Sequence, residues 1–278
     1  MPSQPGLPDG LEAVDLAAAP AAERMALSTE AGWNQTTADW HRLLRLGRGF
    51  GVAERGGPLV ASAVILPYDS DLAWISMVLV IARWRRRGLA SILMDEALDA
   101  CRRLGRTAFL DATPDGTEVY RQLGFAAGER ITRWSRPAGA ATTTLPTVRA
   151  DASLEPACLL DARAMGAPRR ALLEALAADG RPILQSGGSL LLRPGRVAWQ
   201  IGPLTAADRR SADALLADGL AAVGAQAAFA DARDAAGFDG VLRAAGFTPQ
   251  RHFLRMHSGT PPPADPGLLW LTAGPEFG

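Results

Sequence analysis

Residues 74–97, WISMVLVIARWRRRGLASILMDEA, decide how the whole chain is interpreted. The apolar start predicts a β-strand that ends at Val80. The last part predicts an amphipathic helix, with Leu93 on its apolar face and Asp95 on its acidic face. A basic turn ending at Gly88 joins the two elements, and it brings unpaired N–H groups and the positive end of the helix dipole to one point. The stretch therefore predicts an anion site shaped for a pyrophosphate.

A basic turn with one glycine is also typical of a solvated loop, so further motifs are needed. The chain contains neither the G-x-x-x-x-G-K-[ST] pattern of a phosphate-binding loop nor a G-x-G-x-x-G fingerprint after a strand. Residues 108–125, AFLDATPDGTEVYRQLGF, supply a second motif. They predict a short buried strand, a turn at Pro114 and a short helix over 117–123 that is closed by Gly124.

Arg85-x-x-Gly88-x-Ala90, followed by Tyr120-x-x-x-Gly124-Phe125, resembles the signature of the GNAT N-acetyltransferase superfamily over about residues 12–136. The resemblance implies acetyl-CoA as acyl donor, a phenol at Tyr120 that protonates the leaving thiolate, and splayed fourth and fifth strands that expose amides to the pantetheine arm. The cofactor-binding residues that it implies are Met77, Val78, Leu79, Val80, Arg85, Arg86, Arg87, Gly88, Leu89, Ala90 and Ser91. For Tyr120 the alternative is a half-buried aromatic that only packs the short helix.

The general base is not predicted from these motifs. Many members of the superfamily carry a glutamate on the strand before the turn, but residues 72–80 contain no acid. The nearest carboxylates are Asp69 and Asp71. Asp111 ends the next strand, where it could hold water in the substrate site or simply cap a turn. A water relay, or an amine that arrives neutral, would serve equally well.

The resemblance places the acceptor pocket at the first two helices and their loop. Trp33 and Asn34 fall there, and polar groups beside tryptophans suit a ligand wall. The alternative for this segment is structural, with Thr36 or Thr37 starting a helix whose core face holds Trp40.

The second half of the sequence repeats the first. Asp111 and Asp231 each follow a Phe-containing strand, and they lie 120 residues apart. Gly124 and Gly246 each directly precede a phenylalanine, and they lie 122 residues apart. The basic turn is not repeated, since residues 202–208 contain no arginine. Pro203 also removes an amide donor from this stretch. The tyrosine is not repeated either, since Leu242 stands four residues before Gly246. An ordinary C-terminal α/β domain with an accidental echo is the alternative.

The sequence thus predicts an α/β (α+β) chain of two tandem GNAT-like folds, each with a mixed, mostly antiparallel sheet flanked by helices. The expected divisions are an acyl-CoA-binding domain over 1–136, a linker over 137–147, a degenerate GNAT-like domain over 148–258, and an irregular Pro-rich tail over 259–278. Of the two halves, only the first is expected to bind acyl-CoA.

Composition excludes several classes of protein. The formal net charge is zero, which disfavours a nucleic-acid binder. No apolar run reaches the ~18 to 20 residues of a membrane span, and the first residues do not resemble a signal peptide, so we expect a cytoplasmic protein. Three histidines without cysteine clusters predict no metal site. Cys101 and Cys158 fall in helical contexts and are expected to be core residues.

The expected activity is transfer of an acetyl or short acyl group from CoA to a primary amine of a small molecule. A catalytically silent acyl-CoA-binding or interaction module is the alternative, and the missing strand glutamate favours it. Acceptor, acyl length and oligomeric state are left open by the sequence.

Overall fold

A computed structural model describes residues 6–139 and 153–278. The expected linker over 137–147 lies largely outside this range, with only Pro137 to Gly139 inside it. The first half contains six strands and four α-helices, in this order: β1 Leu11–Asp15, α1 Ala21–Glu30, α2 Thr37–Leu46, β2 Arg48–Glu54, β3 Leu59–Pro67, β4 Leu72–Val80, α3 Leu89–Arg103, β5 Thr107–Ala112, α4 Pro114–Gln122 and β6 Ala126–Arg136, all within the described residues.

The described part of the second half follows the order of the first half from α1 to β6 and ends with one additional strand. Its elements are α5 Glu155–Met165, α6 Arg170–Asp179, β7 Arg181–Gln185, β8 Gly188–Arg193, β9 Trp199–Ala206, α7 Arg209–Val223, β10 Ala228–Arg233, α8 Asp239–Ala244, β11 Thr248–Ser258 and β12 Leu269–Leu271. The repeat predicted from the spacing of sequence motifs is therefore present as a repeat of elements.

Local sequence signals explain most element boundaries. Thr36 caps α2 by accepting a hydrogen bond from the Asp39 backbone, and the Asp39 carboxylate accepts one from the Thr36 N–H, which is a complete capping box. Helix α4 begins at Pro114, three residues before the predicted start. Proline is well tolerated at the first helical position, since its missing N–H would be unpaired there in any case.

The twelve strands of the described residues join one mostly antiparallel sheet in the order β1-β2-β3-β4-β5-β11-β6-β10-β12-β9-β8-β7. The two halves exchange strands within it. Strand β6 of the first half pairs with β10, and β11 of the second half pairs with β5. The boundary expected at residue 136 therefore divides the sequence but not the sheet.

Helices flank the sheet and enclose two hydrophobic cores. The first core contains most apolar side chains of the first half together with residues of α5 and α6, and Met256 of β11 is buried in it. The second core is built on β8 to β10 and α7, and it buries Trp134 of β6. Cys101 and Cys158 are both buried in the first core, as expected. Each exchanged strand thus contributes to the core of the other half.

The prediction of an irregular tail after residue 258 is wrong for its last part. Leu269–Leu271 form β12, which pairs with both β9 and β10. The following residues are fastened to the first half, because the Trp74 indole N–H donates to the Pro275 carbonyl over 2.9 Å and the Tyr68 hydroxyl donates to the Phe277 carbonyl over 2.6 Å. An apolar run of four residues, 268–271, was sufficient to pair once a gap in the sheet was available.

Candidate active site

The basic turn after β4 forms an open helix N-terminus. Gly88 is the N-cap of α3 with a φ of 81°, a left-handed conformation that glycine adopts without strain. No side chain caps the helix, so its first N–H groups remain available. Arg86 also has a positive φ, of 60°, and this turns the backbone toward the helix end. Together these features leave N–H donors and the positive end of the helix dipole open, as the predicted anion site requires.

A groove of about 720 Å³, here called the outer groove, lies in front of this helix end. Its walls include most residues of the predicted cofactor set: Val78, Leu79, Val80, Arg85, Arg86, Gly88, Leu89, Ala90 and Ser91. Leu89 has its side chain buried in the first core, so only its backbone can serve a ligand. Arg87 does not line the groove, because its guanidinium stacks over the Trp84 ring at 4.6 Å. The expected binding role of Arg87 is therefore not supported.

The outer groove exists because β4 and β5 separate. They pair in parallel only from Leu72↔Thr107 to Trp74↔Phe109. Beyond that point β4 has a bulge against β3, between the pairs Ser62↔Leu79 and Val64↔Ser76, and Met77 has a φ of 54°. The expected splay of these strands is thus present, although Met77 itself faces the inner cavity described next.

An inner cavity of about 70 Å³ adjoins the outer groove. Val78, Tyr120, Trp33, Thr113 and Arg251 line both spaces, so the two meet at these residues. The expected role of Trp33 as a wall residue is consistent with this position. The remaining walls are Gln35, Ile75, Ser76, Met77, Leu110, Asp111, Arg133, Phe253, Pro275 and Glu276.

Tyr120 lies at the junction of the two spaces. Its ring packs against Phe125 with centroids 5.9 Å apart, and no described group forms a hydrogen bond with its hydroxyl. Burial raises the pKa of Tyr120 to about 12, so the phenol is protonated at neutral pH. The packing role and a chemical role are compatible in this position.

Asp111 also lines the inner cavity, but its carboxylate is already engaged. Arg255 of the exchanged strand β11 donates to both of its oxygens, over 2.9 and 3.1 Å. Burial raises the pKa of Asp111, and the opposing charge of Arg255 limits that shift. A second arginine of the cavity wall, Arg133, makes a similar two-point contact with Asp231. Both ion pairs connect the two halves of the chain.

Three other residues considered from the sequence lie away from both spaces. Asn34 is buried, and its amide binds backbone groups of residues 197 and 198 in the second half, accepting from two N–H groups and donating to one carbonyl. It fastens the halves together and does not line a ligand site. Asp69 and Asp71 precede β4 and neither lines either space, whereas the outer groove begins near the opposite end of that strand.

Glu276 is the functional candidate that sequence reasoning missed. Its carboxylate is 4 % exposed and pairs with Arg193 through Oε1, while Oε2 has no partner. Burial raises the pKa of Glu276, against the opposing effect of Arg193. No local motif marks this residue, because it reaches the cavity only through the pairing of β12 and the fastening of the last residues to Trp74.

The second half has none of these open features. Between β9 and β10 the gap that corresponds to the outer groove is filled by β12. Gly202 permits this close approach, since a Cβ there would lie 2.1 Å from the Thr272 carbonyl oxygen. The N-terminus of α7 is capped by its own Asp208, which accepts from the Ser211 N–H over 2.8 Å. Leu242, at the position of Tyr120, is fully buried in the second core.

No group of three or more His, Cys, Asp or Glu side chains within 6–139 and 153–278 is placed to hold a metal ion. Over the same ranges no helix is both long and apolar enough to cross a membrane.

Solved structures share the fold over nearly the whole chain. A proposed acetyltransferase from Pyrococcus horikoshii superposes with a TM-score of 0.84 at 19% identity, covering 99% of this chain and 98% of that one. A GCN5-related N-acetyltransferase from Sphaerobacter thermophilus gives 0.65 at 18% identity, covering 94% and 99%. A tandem GNAT protein from the clavulanic acid biosynthesis pathway gives 0.61 at 16% identity, covering 89% and 98%.

Sequence comparison assigns both halves to one family. No curated protein gives a significant match. A model of the acetyltransferase (GNAT) family matches residues 13–125, and a model of an acetyltransferase (GNAT) domain matches residues 157–270. The chain therefore belongs to the GNAT acetyltransferase family and carries two GNAT folds in tandem.

Proposed function

We propose that the protein is an N-acyltransferase that moves an acetyl or short acyl group from CoA to a primary amine of a small molecule. The observation that carries this proposal is the meeting of the outer groove and the inner cavity at Tyr120. A long donor can lie in the first space and a small acceptor in the second, with a protonated phenol between them. Enzymes that join two substrates need such a junction, because both reacting atoms must approach one point.

The residues of the outer groove suit acyl-CoA. The uncapped N-terminus of α3 and the turn from Arg85 to Ser91 offer N–H groups and positive charge to a pyrophosphate. The edge of β4 over 78–80 would pair with the pantetheine arm, in the gap that β5 leaves. When bound, acyl-CoA supplies an activated thioester. A backbone N–H of this edge would donate to the thioester oxygen and stabilise the charge that develops there.

The bound amine must first lose the extra proton of its ammonium form to Glu276, which releases it to solvent, because only the neutral amine is a nucleophile. Two further proton movements accompany the transfer. The amine nitrogen forms a bond to the acyl carbon while the carbon–sulfur bond breaks. Tyr120 donates its phenolic proton to the departing thiolate and regains one from solvent. The amine proton passes to Glu276, whose Oε2 atom has no other partner. A raised pKa makes the Glu276 carboxylate a stronger base than an exposed glutamate.

The lack of an acid on β4 favours the alternative of a silent acyl-CoA-binding module. Thiol release from acetyl-CoA, measured with a mixed panel of small amines and with no amine, distinguishes the two. We expect release that depends on an amine and yields an acetylated product by mass spectrometry. Acetyl-CoA binding without any amine-dependent release would support the silent module. A small-molecule acceptor in the cytoplasm, with no nucleic-acid or membrane partner, is proposed from composition alone.

A further inference from the structure

The inner cavity is surrounded by ion pairs that neutralise one another. Arg133 is matched by Asp231 at 2.7 Å, and Arg255 is matched by Asp111 at 2.9 Å. Two charged groups of the wall remain incompletely matched among the described residues: the Oε2 atom of Glu276 and the guanidinium of Arg251. Glu276 is buried and Arg251 is half-buried, and a buried polar atom without a partner is costly, so the Oε2 atom of Glu276 and the Nε atom of Arg251 each indicate a missing polar partner.

The negative group sits at the end of a buried chain of charges. Arg193 pairs with Oε1 of Glu276 and also with Asp39 over 3.2 Å, and Asp39 is in turn held by Arg42 over 2.8 Å. Arg193 is thereby shared between two carboxylates, and Oε2 of Glu276, a residue of the cavity wall, is left without a hydrogen-bond partner. Gln35 lines the same cavity and its Oε1 atom is also buried without a partner. Two open acceptors, one of them charged, suit an ammonium group, which has donors and no acceptor.

The positive group is Arg251 of the exchanged strand β11. No carboxylate of the described residues lies within ion-pair distance of it, and its Nε atom is buried without a partner. Its guanidinium carbon lies 5.2 Å from the centroid of the Phe253 ring. Burial and the charge of Arg133 lower the pKa of Arg251 to about 10. A guanidinium held beside another arginine is stabilised by an anion, and its planar donors suit a carboxylate.

We propose that the acceptor is a small amino acid, with its carboxylate on Arg251 and its amino group on Glu276 and Gln35. This inference rests on the proposed function. The cavity volume of about 70 Å³ limits the acceptor to a small molecule, and Ile75, Leu110 and Phe253 offer apolar contacts to its carbon chain. Arg251 also borders the outer groove, so a contact with phosphates of the acyl donor is the competing explanation.

Binding of matched pairs of compounds to the CoA-loaded protein tests the proposal without requiring turnover. Each pair consists of an amino acid and the amine that lacks its carboxylate, such as L-alanine with ethylamine and 4-aminobutyrate with propylamine, extended over the common amino acids. By calorimetric titration we expect at least one amino acid to bind about thirtyfold or more tightly than its amine, the scale of a lost buried charge contact.

Variants identify the source of this preference. Arg251→Gln should remove the preference for the carboxylate and leave the affinity for acetyl-CoA unchanged. Arg251→Lys keeps the charge, so it should retain part of the preference and serves as the second variant if Arg251→Gln does not fold. Glu276→Gln should weaken the amino acid and the amine alike. Arg130→Gln is the control, because that exposed arginine pairs with Asp234 and lines neither space.

The proposal is overturned if no amino acid binds, if the amines bind as tightly, or if Arg251→Gln weakens acetyl-CoA instead. Selective binding of an amino acid with no transfer to it would count against the proposed reaction and still support the assignment of the cavity. Transfer to amines, without a preference for compounds that carry a carboxylate, would support the proposed reaction and count against the assignment of the cavity. The two failures are therefore distinguishable.

Discussion

In the first half of the chain β4 and β5 pair over three residues and then separate around an open groove, whereas in the second half β9 and β10 pair over three residues and then admit β12. The same gap is thus open in one GNAT fold and filled by the chain itself in the other. The comparison indicates that the gap is a property of the fold, and that an extended segment of the chain can complete the sheet there.

The helices that follow the two gaps also differ, because the N-terminus of one is open and that of the other is capped. In the first half α3 begins at Gly88 without a side-chain cap, while in the second half α7 begins after Asp208, whose carboxylate occupies the helix end. Hydrogen bonds from the backbone and side chain of Ser211 hold the pKa of Asp208 below its ordinary value, so this carboxylate stays charged. The anion that we propose for the first half thus has its counterpart in the second half within the protein, in the carboxylate of Asp208.

The largest expected effect comes from separating the halves. A chain that ends at Arg136 leaves β6 without β10 and β11, its neighbours on both sides, and exposes Trp134, which is buried in the second core. We expect no cooperative thermal unfolding transition and no acetyl-CoA binding from this fragment. Co-expression with residues 137–278 is the control and should restore both. A fragment that folds and binds alone would show that the strand exchange is dispensable.

Local signals in the sequence predict much of this fold. The strand-turn-helix of residues 74–97 forms as expected because a run of apolar residues, a glycine and an amphipathic period act over short distances. The sequence does not predict the strand exchange, because the residues of β6 and β11 would show the same strand pattern whether they paired within a half or across the halves. Asn34 shows the same limit, because the backbone that satisfies its amide lies 164 residues away in the chain.

The residues of the candidate site also fall into two groups, those that local motifs predict and those that only the pairing of distant strands brings to the cavity. Motifs identified the groove residues and Tyr120, whose positions depend on neighbours in the sequence. They missed Glu276 and Arg251, which reach the cavity only through strands β12 and β11. Arg87 was included because it lies within the basic run, yet its guanidinium stacks on Trp84. A pattern of charges indicates which turn binds an anion, but the direction of each side chain depends on packing.

The next prediction concerns the two helix ends. Gly88→Glu places a carboxylate and a side chain at a φ of 81°, where the pyrophosphate would bind. We expect acetyl-CoA affinity to fall by about a hundredfold or more, and the rise in melting temperature that acetyl-CoA produces to disappear. Asp208→Asn is the matched variant at α7 and should leave that rise unchanged. Equal losses in both variants would mean that the two helix ends are not functionally different.

A smaller effect is expected where the halves differ in a single side chain, at Tyr120 and Leu242. Tyr120→Phe keeps the ring and removes the hydroxyl, so kcat should fall roughly ten- to a thousandfold while acetyl-CoA binding is retained. Leu242→Met in the second half should leave kcat unchanged. Because the pKa of Tyr120 is raised to about 12, the phenol stays protonated and the wild-type rate should not decline through loss of that proton between pH 8 and 10. Full turnover by Tyr120→Phe would leave the ring a packing role only.

The smallest expected effect comes from the short helices that carry these two residues. A Cβ at Gly116 of α4 would lie 2.9 Å from Cε2 of Tyr120, whereas a Cβ at Gly240 of α8 would have nothing within 4 Å. Alanine is favoured over glycine inside a helix by roughly 1 kcal/mol, so Gly240→Ala should raise the melting temperature slightly and leave kcat unchanged. In Gly116→Ala the ring of Tyr120 must shift by a few tenths of an ångström, and a misplaced proton donor should lower kcat by about three- to tenfold. Steady-state kinetics and thermal unfolding of the two variants measure the difference. If Gly116→Ala keeps the wild-type kcat, the position of the phenol is less restricted than the junction of the two spaces implies.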